Sequence, residues 1–249
     1  MAKEISKTQI DHLGDRLKKG NITEADLRLL DQYRRSFTPA YEIVVGTIRK
    51  DLALEPTGRP AKSTTSISEK LRRESIRLTQ IQDIAGCRLT VTDIAEQDLV
   101  VQSLNNLFEK TTIVDRRRQP SHGYRAVHVV VSCLDKMIEI QVRTSLQHLW
   151  AELSEKLSDM VDPAVKYGAG DETVRSLLAS ASTIVINVES VERQLTAEKL
   201  VSSHVKITVD KQQKITNMEV ALDRLRRIAF EGLHDAMKEL EGENDDLSD

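Results

Sequence analysis

Two acids in this 249-residue chain stand where acids are hard to bury. Asp83 opens the run Asp83-Ile84-Ala85-Gly86-Cys87-Arg88-Leu89-Thr90-Val91, and Glu139 interrupts Met137-Ile138-Glu139-Ile140-Gln141-Val142. A carboxylate within an apolar strand needs a cation or hydrogen-bond donors to offset its desolvation. A third stretch, Tyr124-Arg125-Ala126-Val127-His128, places an aromatic ring and bases at the head of another β-prone run. Residues two apart on a strand share a face. Tyr124, Ala126 and His128 are therefore expected on one side, and Glu139, Gln141 and Arg143 on one side of the next strand. Such a face suits a charged ligand and a metal ion. Mg²⁺ takes one or two carboxylates with phosphate oxygens and water, which makes Asp83 and Glu139 the candidate metal ligands. A lone acid at a strand start is more often a capping residue, so Glu139 is the stronger signal of the two.

The bases point the same way. Lys62 lies four residues before Ser66 and Lys70 four after it. If a helix begins near Ser66, its free N–H groups, Lys70 and the loop bases converge on one point suited to phosphates. The competing reading is a Ser-capped surface helix. Arg59, Lys62, Lys70, Arg72, Arg73, Arg77 and Arg88 outnumber the acids of their region, and Arg116-Arg117-Arg118 with Arg125 form a second cluster. Clusters of this kind favour a polyanion, although a solvated helix face has the same appearance. The net charge is −3, yet six acids lie between Glu239 and Asp249 with no base among them. The rest of the chain is therefore net positive.

The elements that must hold these residues follow from periodicity. Helices are expected over 7–19 and 23–36, divided by Gly20-Asn21 and with Thr23 and Asp26 as a cap. A third runs over 39–53 with Pro39 in its first turn and Ile43, Val44, Ile48 and Leu52 as its apolar stripe. Glu55-Pro56-Thr57-Gly58-Arg59-Pro60 reads as a loop. Ile84–Val91 reads as a buried strand in which Gly86 allows close backbone approach. An amphipathic helix over 94–109 carries Ile94, Leu99, Val100, Leu104, Leu107 and Phe108. Strands follow from Thr111, over Val127–Cys133 and over Met137–Val142, the last two joined by Leu134-Asp135-Lys136 as a hairpin. Thr144 caps a helix over about 145–160 whose Leu146, Leu149, Trp150, Leu153 and Leu157 face the core. Beyond residue 170 only helical spacing remains, with stripes at Ile184, Val188, Val191, Leu195 and at Ile215, Met218, Leu222, Leu225, Ile228. The expected fold is α+β, a mixed sheet flanked by helices, divided as a helical region 1–54, a sheet domain 55–168, a helical hairpin 169–241 and an acidic tail 242–249. The hairpin packs on the sheet domain or on another copy of the chain, so a homo-oligomer is one expectation.

Composition excludes several classes. With 39% hydrophobic and 30% charged residues and five prolines, global disorder is not expected. No run of 18 apolar residues occurs, so no membrane span or membrane partner is expected. Residues 1–7 hold no apolar signal core. Cys87 and Cys133 do not make a disulfide scaffold, scattered histidines do not make a zinc site, and a cytoplasmic location is the default. There is no internal repeat.

Taken together, Gly58-Arg59-Pro60 with Lys62, Ser66 and Lys70; Asp83-Ile84-Ala85-Gly86-Cys87-Arg88; Gly123-Tyr124-Arg125-Ala126-Val127-His128; and Glu139-Ile140-Gln141-Val142-Arg143-Thr144 running into His148-Leu149-Trp150-Ala151-Glu152 resemble the synthetase domain of the RelA/SpoT alarmone family, over residues 58 to about 155. The resemblance implies a nucleotidyltransferase-like sheet and a stand-alone small synthetase. It implies transfer of the β,γ-diphosphate of ATP to the 3′-hydroxyl of GDP or GTP, with Mg²⁺ as cofactor. By position, Asp83 would hold Mg²⁺, and Glu139 would bind it and draw the proton from the hydroxyl. Arg59 and Arg88 would sandwich adenine, and Lys62, Ser66 and Lys70 would grip phosphates. Tyr124 would stack on the acceptor base, with Arg125, His128, Gln141 and Arg143 completing the acceptor side. The chain departs from the family pattern in places. Arg116 to His122 replaces a loop that usually carries an aromatic and a Lys, Ala126 stands for a Ser, Ser154-Glu155 for an acid-His pair, and Lys166-Tyr167 for a Tyr-Lys pair. The altered loop motivates a rival reading as a toxin-type relative acting on tRNA or adenine nucleotides. A catalytically silent nucleotide- or RNA-binding module is the third. The family's hydrolase half, with its metal-binding His-Asp pair, is not expected, since the one His-Asp here is His234-Asp235.

Overall fold

The computed structural model describes residues 5–204 and 208–246. Contacts divide the chain into two compact units: Met1–Leu89, Gln102–Val114 and His128–Gln141 form the first, and Thr90–Val101, Asp115–Val127 and Val142–Asp249 the second.

Three helices begin the first unit: α1 (Lys7–Lys19), α2 (Glu24–Arg35) and α3 (Thr38–Leu52). Each is short enough to depend on its ends, and the first two have capping boxes. Thr23 Oγ1 accepts from the Asp26 amide at 3.2 Å and Asp26 accepts from the Thr23 amide at 3.1 Å, as the spacing predicts. Ser6 and Gln9 do the same for α1. Strand β1 (Thr57–Arg59) and α4 (Thr64–Arg73) follow, then β2 (Ala85–Val91), α5 (Ile94–Leu107), β3 (Thr111–Asp115), β4 (Val127–Cys133) and β5 (Lys136–Thr144). The mixed sheet has the order β1-β2-β5-β4-β3. β1 corrects the loop expected at 55–60. Prolines on both sides hid a three-residue edge strand that pairs antiparallel with β2, Thr57 opposite Arg88 and Arg59 opposite Gly86. The β4–β5 hairpin turns through Leu134 and Asp135, both at positive φ (48° and 57°), the geometry a two-residue turn between twisted strands demands.

The fit of β2 against β5 sets the site. A Cβ on Gly86 would lie 2.7 Å from the Glu139 carbonyl oxygen, and strand backbone cannot give way. We expect Gly86→Ala to lower stability by about 1–3 kcal/mol, read as a fall in thermal midpoint of about 2–4 °C per kcal/mol. An unmoved midpoint would mean that the two strands are not in close contact there.

The second unit is built on α6 (Ser145–Met160), α7 (Glu172–His204) and α8 (Val209–Asp246). Its core joins Leu149, Trp150, Leu153 and Leu157 of α6 to Leu178, Val185 and Val188 of α7 and Ile215, Leu222 and Leu233 of α8. The stripes differ from those read off the sequence. Ile184 and Ile228 are exposed, and the buried apolar positions of α7 run 178, 181, 185, 188 and 195, those of α8 215, 222, 229 and 233. These are seven-residue repeats, the seam of two helices packed side by side. In α3 the buried face is Ala40, Val44, Val45 and Ile48, leaving Ile43 exposed. In α5, Leu99 is 64% exposed whereas the polar Gln97 is fully buried. The tail expected from Gly242 is helical as far as Asp246, and residues 247–249 lie outside the described residues. Among the described helices α7 alone is long and apolar enough by composition to cross a membrane, with an 18-residue window of mean hydropathy 1.2. A third of that window is buried within the protein.

Candidate active site

Asp83 and Glu139 both belong to the first unit. The Lys62 amide donates to the Ile84 carbonyl at 2.6 Å, which ties the segment before α4 to the entry of β2. Lys62 Nζ then reaches Asp83 Oδ2 at 2.6 Å, and Lys70 Nζ, from α4, reaches Oδ1 at 2.9 Å. The expected convergence of Lys62 and Lys70 is real, and Asp83 is its focus. The helix cap is Ser63, whose Oγ accepts from the Ser66 amide at 3.2 Å and donates to Ser66 Oγ at 2.8 Å. Burial pushes the Asp83 carboxyl up, but the two ammonium groups outweigh it and hold the acid at about 2. Two cations on one anion leave this corner with excess positive charge.

Glu139 is held differently. His128 Nδ1 on β4 lies 2.8 Å from Glu139 Oε1, and Gln141 Nε2 donates to Oε2 at 2.8 Å. Burial again acts to raise the acid, and the His128 contact and Gln141 bring it below the ordinary carboxylate range, against the opposing charge of Asp83. The two carboxylates thus sense each other within one unit. Among the described residues no three acidic, histidine or cysteine side chains form a ready-made metal cage. Two hard oxygen donors are what Mg²⁺ needs when phosphate supplies the rest, so the donor set fits that ion. Beside them, burial and the charge of Glu139 push the Cys87 thiol to about 12, which keeps it protonated and unreactive. Neither cysteine is in a disulfide.

Arg59 and Arg88 share a face. The Thr57–Arg88 pairing puts both side chains on one side, and Arg59 is two residues from Thr57. The register makes them diagonal neighbours on that face.

The acceptor-side candidates Tyr124, Arg125 and Arg143 lie in the second unit. Arg143 Nη2 donates to Tyr124 Oη at 3.0 Å, and the guanidinium stands over the ring at 5.1 Å. Trp150 lies 6.4 Å from the same ring. With Ser154, Glu155 and Lys166 they line a cavity of about 160 Å³. Tyr124 is not on a strand, contrary to the expected face with Ala126 and His128. β4 begins at Val127, and Tyr124 and Ser121 exchange backbone hydrogen bonds in a tight turn (2.9 and 3.3 Å). Ala126 is fully buried.

Arg125 is a second correction. It is 5% exposed and forms a bidentate pair with Glu189 of α7, itself 1% exposed, with Nη2–Oε2 at 2.5 Å. Its guanidinium is committed to Glu189 inside the fold. Breaking a buried pair leaves a charge stranded, so Arg125→Ala should lower unfolding free energy by about 3–5 kcal/mol. A denaturant midpoint that stays put would return Arg125 to the ligand-facing set. Arg117 is likewise engaged, with Asp98 at 2.7 Å and Asp115 at 2.9 Å, whereas Arg118 is largely exposed.

Sequence reasoning missed the polar network behind this turn. Gln147 donates to Glu189 at 2.7 Å and accepts from Gln97 at 2.8 Å, and Gln97 also donates to the Val142 carbonyl at 2.7 Å. The capping-box spacing of Thr144 and Gln147 was a usable signal for one member. Nothing local marks Glu189.

The sheet flanked by helices, with Asp83 at the entry of β2 and Glu139 on β5, is a mixed α+β fold. Residues 58–158 match the family model described as "Region found in RelA / SpoT proteins". It is 38% identical over 123 residues to an uncharacterised protein of Mycobacterium tuberculosis, covering 48% of this chain and 44% of that one. It is 33% identical over 117 residues to the GTP pyrophosphokinase YjbM of Bacillus subtilis, covering 41% of this chain and 54% of that one. The matches thus span about half the length of these relatives. The solved small alarmone synthetase 1 of Bacillus subtilis superposes with a TM-score of 0.51 at 26% identity, covering 68% of this chain and 98% of that chain. A second structure of it, bound to its product pppGpp, gives 0.52 at 24% identity, with 68% and 99% covered.

Proposed function

We propose that the protein is a pyrophosphokinase that moves the β,γ-diphosphate of ATP to the 3′-hydroxyl of GDP or GTP. The observation that carries this is the pair Asp83, in the turn that enters β2, and Glu139, on β5, each kept ionised by its own partners. The likeness to YjbM, named a GTP pyrophosphokinase, supports the acceptor class. In the reaction the acceptor oxygen bonds to the β-phosphorus of ATP, the bond from that phosphorus to the α,β-bridging oxygen breaks, and AMP leaves. Such a transfer needs alignment and charge neutralisation more than covalent help from the protein. Lys62 and Lys70 neutralise phosphate oxygens, with Ser66 at the start of α4 beside them. Arg59 and Arg88 hold adenine between their planes. Glu139 takes the hydroxyl proton, and His128 and Gln141 fix its two oxygens. Tyr124 presents the acceptor base, with Arg143 at its hydroxyl. Asp83 and Glu139 would hold Mg²⁺, which supplies Lewis-acid stabilisation of the phosphoryl charge when bound.

The test offers γ-labelled ATP with GDP, GTP, ATP or tRNA in turn and follows label and AMP. Label appearing on GDP or GTP with one AMP per transfer is the expected result. Label on tRNA or on an adenine nucleotide alone would replace the acceptor. Nucleotide binding with no AMP from any mixture would make the chain a silent module.

A further inference from the structure

Helix α7 lies wholly beyond the matched region 58–158, yet it touches the Gly123-Tyr124-Arg125 turn on both sides of its ring. Ser182 Oγ donates to the Gly123 carbonyl at 2.9 Å. Seven residues on, Glu189 takes the Arg125 guanidinium and is itself fixed by Gln147 at 2.7 Å and Arg193 at 3.0 Å. The third contact comes through Trp150, whose Nε1 donates to the Leu178 carbonyl at 2.9 Å and whose ring neighbours Tyr124. Gly123 sits at φ 90°, and a Cβ there would meet Trp150 at 2.8 Å and Ser182 at 3.3 Å. The turn is therefore seated in a socket shaped for glycine. Leu178, Ser182 and Glu189 are four and seven residues apart, so they share one side of the helix. That side could have been filled by apolar residues. Instead, two buried polar side chains are spent on one tripeptide, and a buried polar group is retained only where its partners are met.

We infer that Ser182 and Glu189 are positioning residues for the acceptor: α7 fixes the tilt of Tyr124 and so sets how tightly the second nucleotide stacks. The inference rests on Tyr124 being the acceptor platform, and it concerns no group that touches phosphate. It separates acceptor affinity from ATP affinity, which a merely structural role for α7 would not do.

The experiment compares wild type with Ser182→Ala, Ser182→Thr and Glu189→Gln. Michaelis constants are measured for ATP and GDP separately, and GDP binding is followed by emission of Trp150, the chain's single tryptophan. Amide hydrogen exchange is read over 123–125. Loss of one hydrogen bond in Ser182→Ala should raise KM for GDP about fivefold, leave KM for ATP and kcat within about twofold, and speed exchange at 123–125. Ser182→Thr keeps the hydroxyl and should restore all three, and Glu189→Gln should shift the GDP constant further. Equal shifts for ATP and GDP, or unchanged exchange in Ser182→Ala, would overturn the inference. If wild type transfers to no nucleotide, the proposed reaction fails, and the exchange data still decide whether α7 holds the turn.

Discussion

Replacing Glu139 by Gln should lower the rate of transfer by a factor of about 10³ or more, since a positioned general base alone contributes 10²–10⁴ and a proposed metal ligand is lost with it. The amide is the same size, and one of its atoms can still meet Gln141 or His128 across the existing 2.8 Å contacts. The fold should therefore survive, with the thermal midpoint moving by no more than about 4 °C, the shift expected for about 1 kcal/mol in a chain of this size. The two readouts must be taken together. Lost activity with an intact melt assigns the effect to chemistry. Retained activity within tenfold would remove Glu139 from the role of base and leave His128 as the nearer candidate.

The second large effect is at Asp83. Asp83→Asn removes the negative charge on which Lys62 and Lys70 converge, and with it one proposed ligand for Mg²⁺. A loss of about 10³ in rate is expected, equivalent to about 4 kcal/mol of transition-state stabilisation. Stability changes as well. The folded acid titrates at about 2 against an ordinary 3.8, so its contribution is fully present above pH 3.8 and disappears as pH falls through about 2. The size of that contribution is about 2 kcal/mol. Wild type should lose that much between these limits through this group, and Asp83→Asn should lack this part of the acid dependence while being weaker at neutral pH. If the variant and wild type show the same acid-limb slope, the ion pairs with the two lysines do not hold in solution.

Much of the scaffold was legible because it is governed by local rules. Thr23 with Asp26 and Thr144 with Gln147 announce helix starts by spacing alone. The alternation through Ile138 and Ile140 announces a strand whose intervening acid needs partners. Lys62 and Lys70 were recognisable as a converging pair, although their shared target was not. What stayed hidden depends on distant partners. Arg125 looks like a phosphate binder beside Tyr124, and only Glu189, 64 residues later, makes it structural. Arg117 has the same history with Asp98 and Asp115. Gln97 is fully buried on a helix whose apolar count pointed elsewhere, because its partners are a carbonyl and a glutamine from other elements. β1 was missed because an edge strand of three residues between prolines has no periodicity to detect.

With Asp83 and Glu139 both in place, the β- and γ-phosphates of ATP should pass together to the acceptor. Phosphorus NMR of a mixture of the protein, Mg²⁺, ATP and GDP reads this directly. It should show AMP growing in step with a guanosine product that carries a new diphosphate on its 3′-oxygen, and neither signal should grow with Glu139→Gln. ADP and inorganic phosphate as the products, or AMP released equally by the variant, would contradict it.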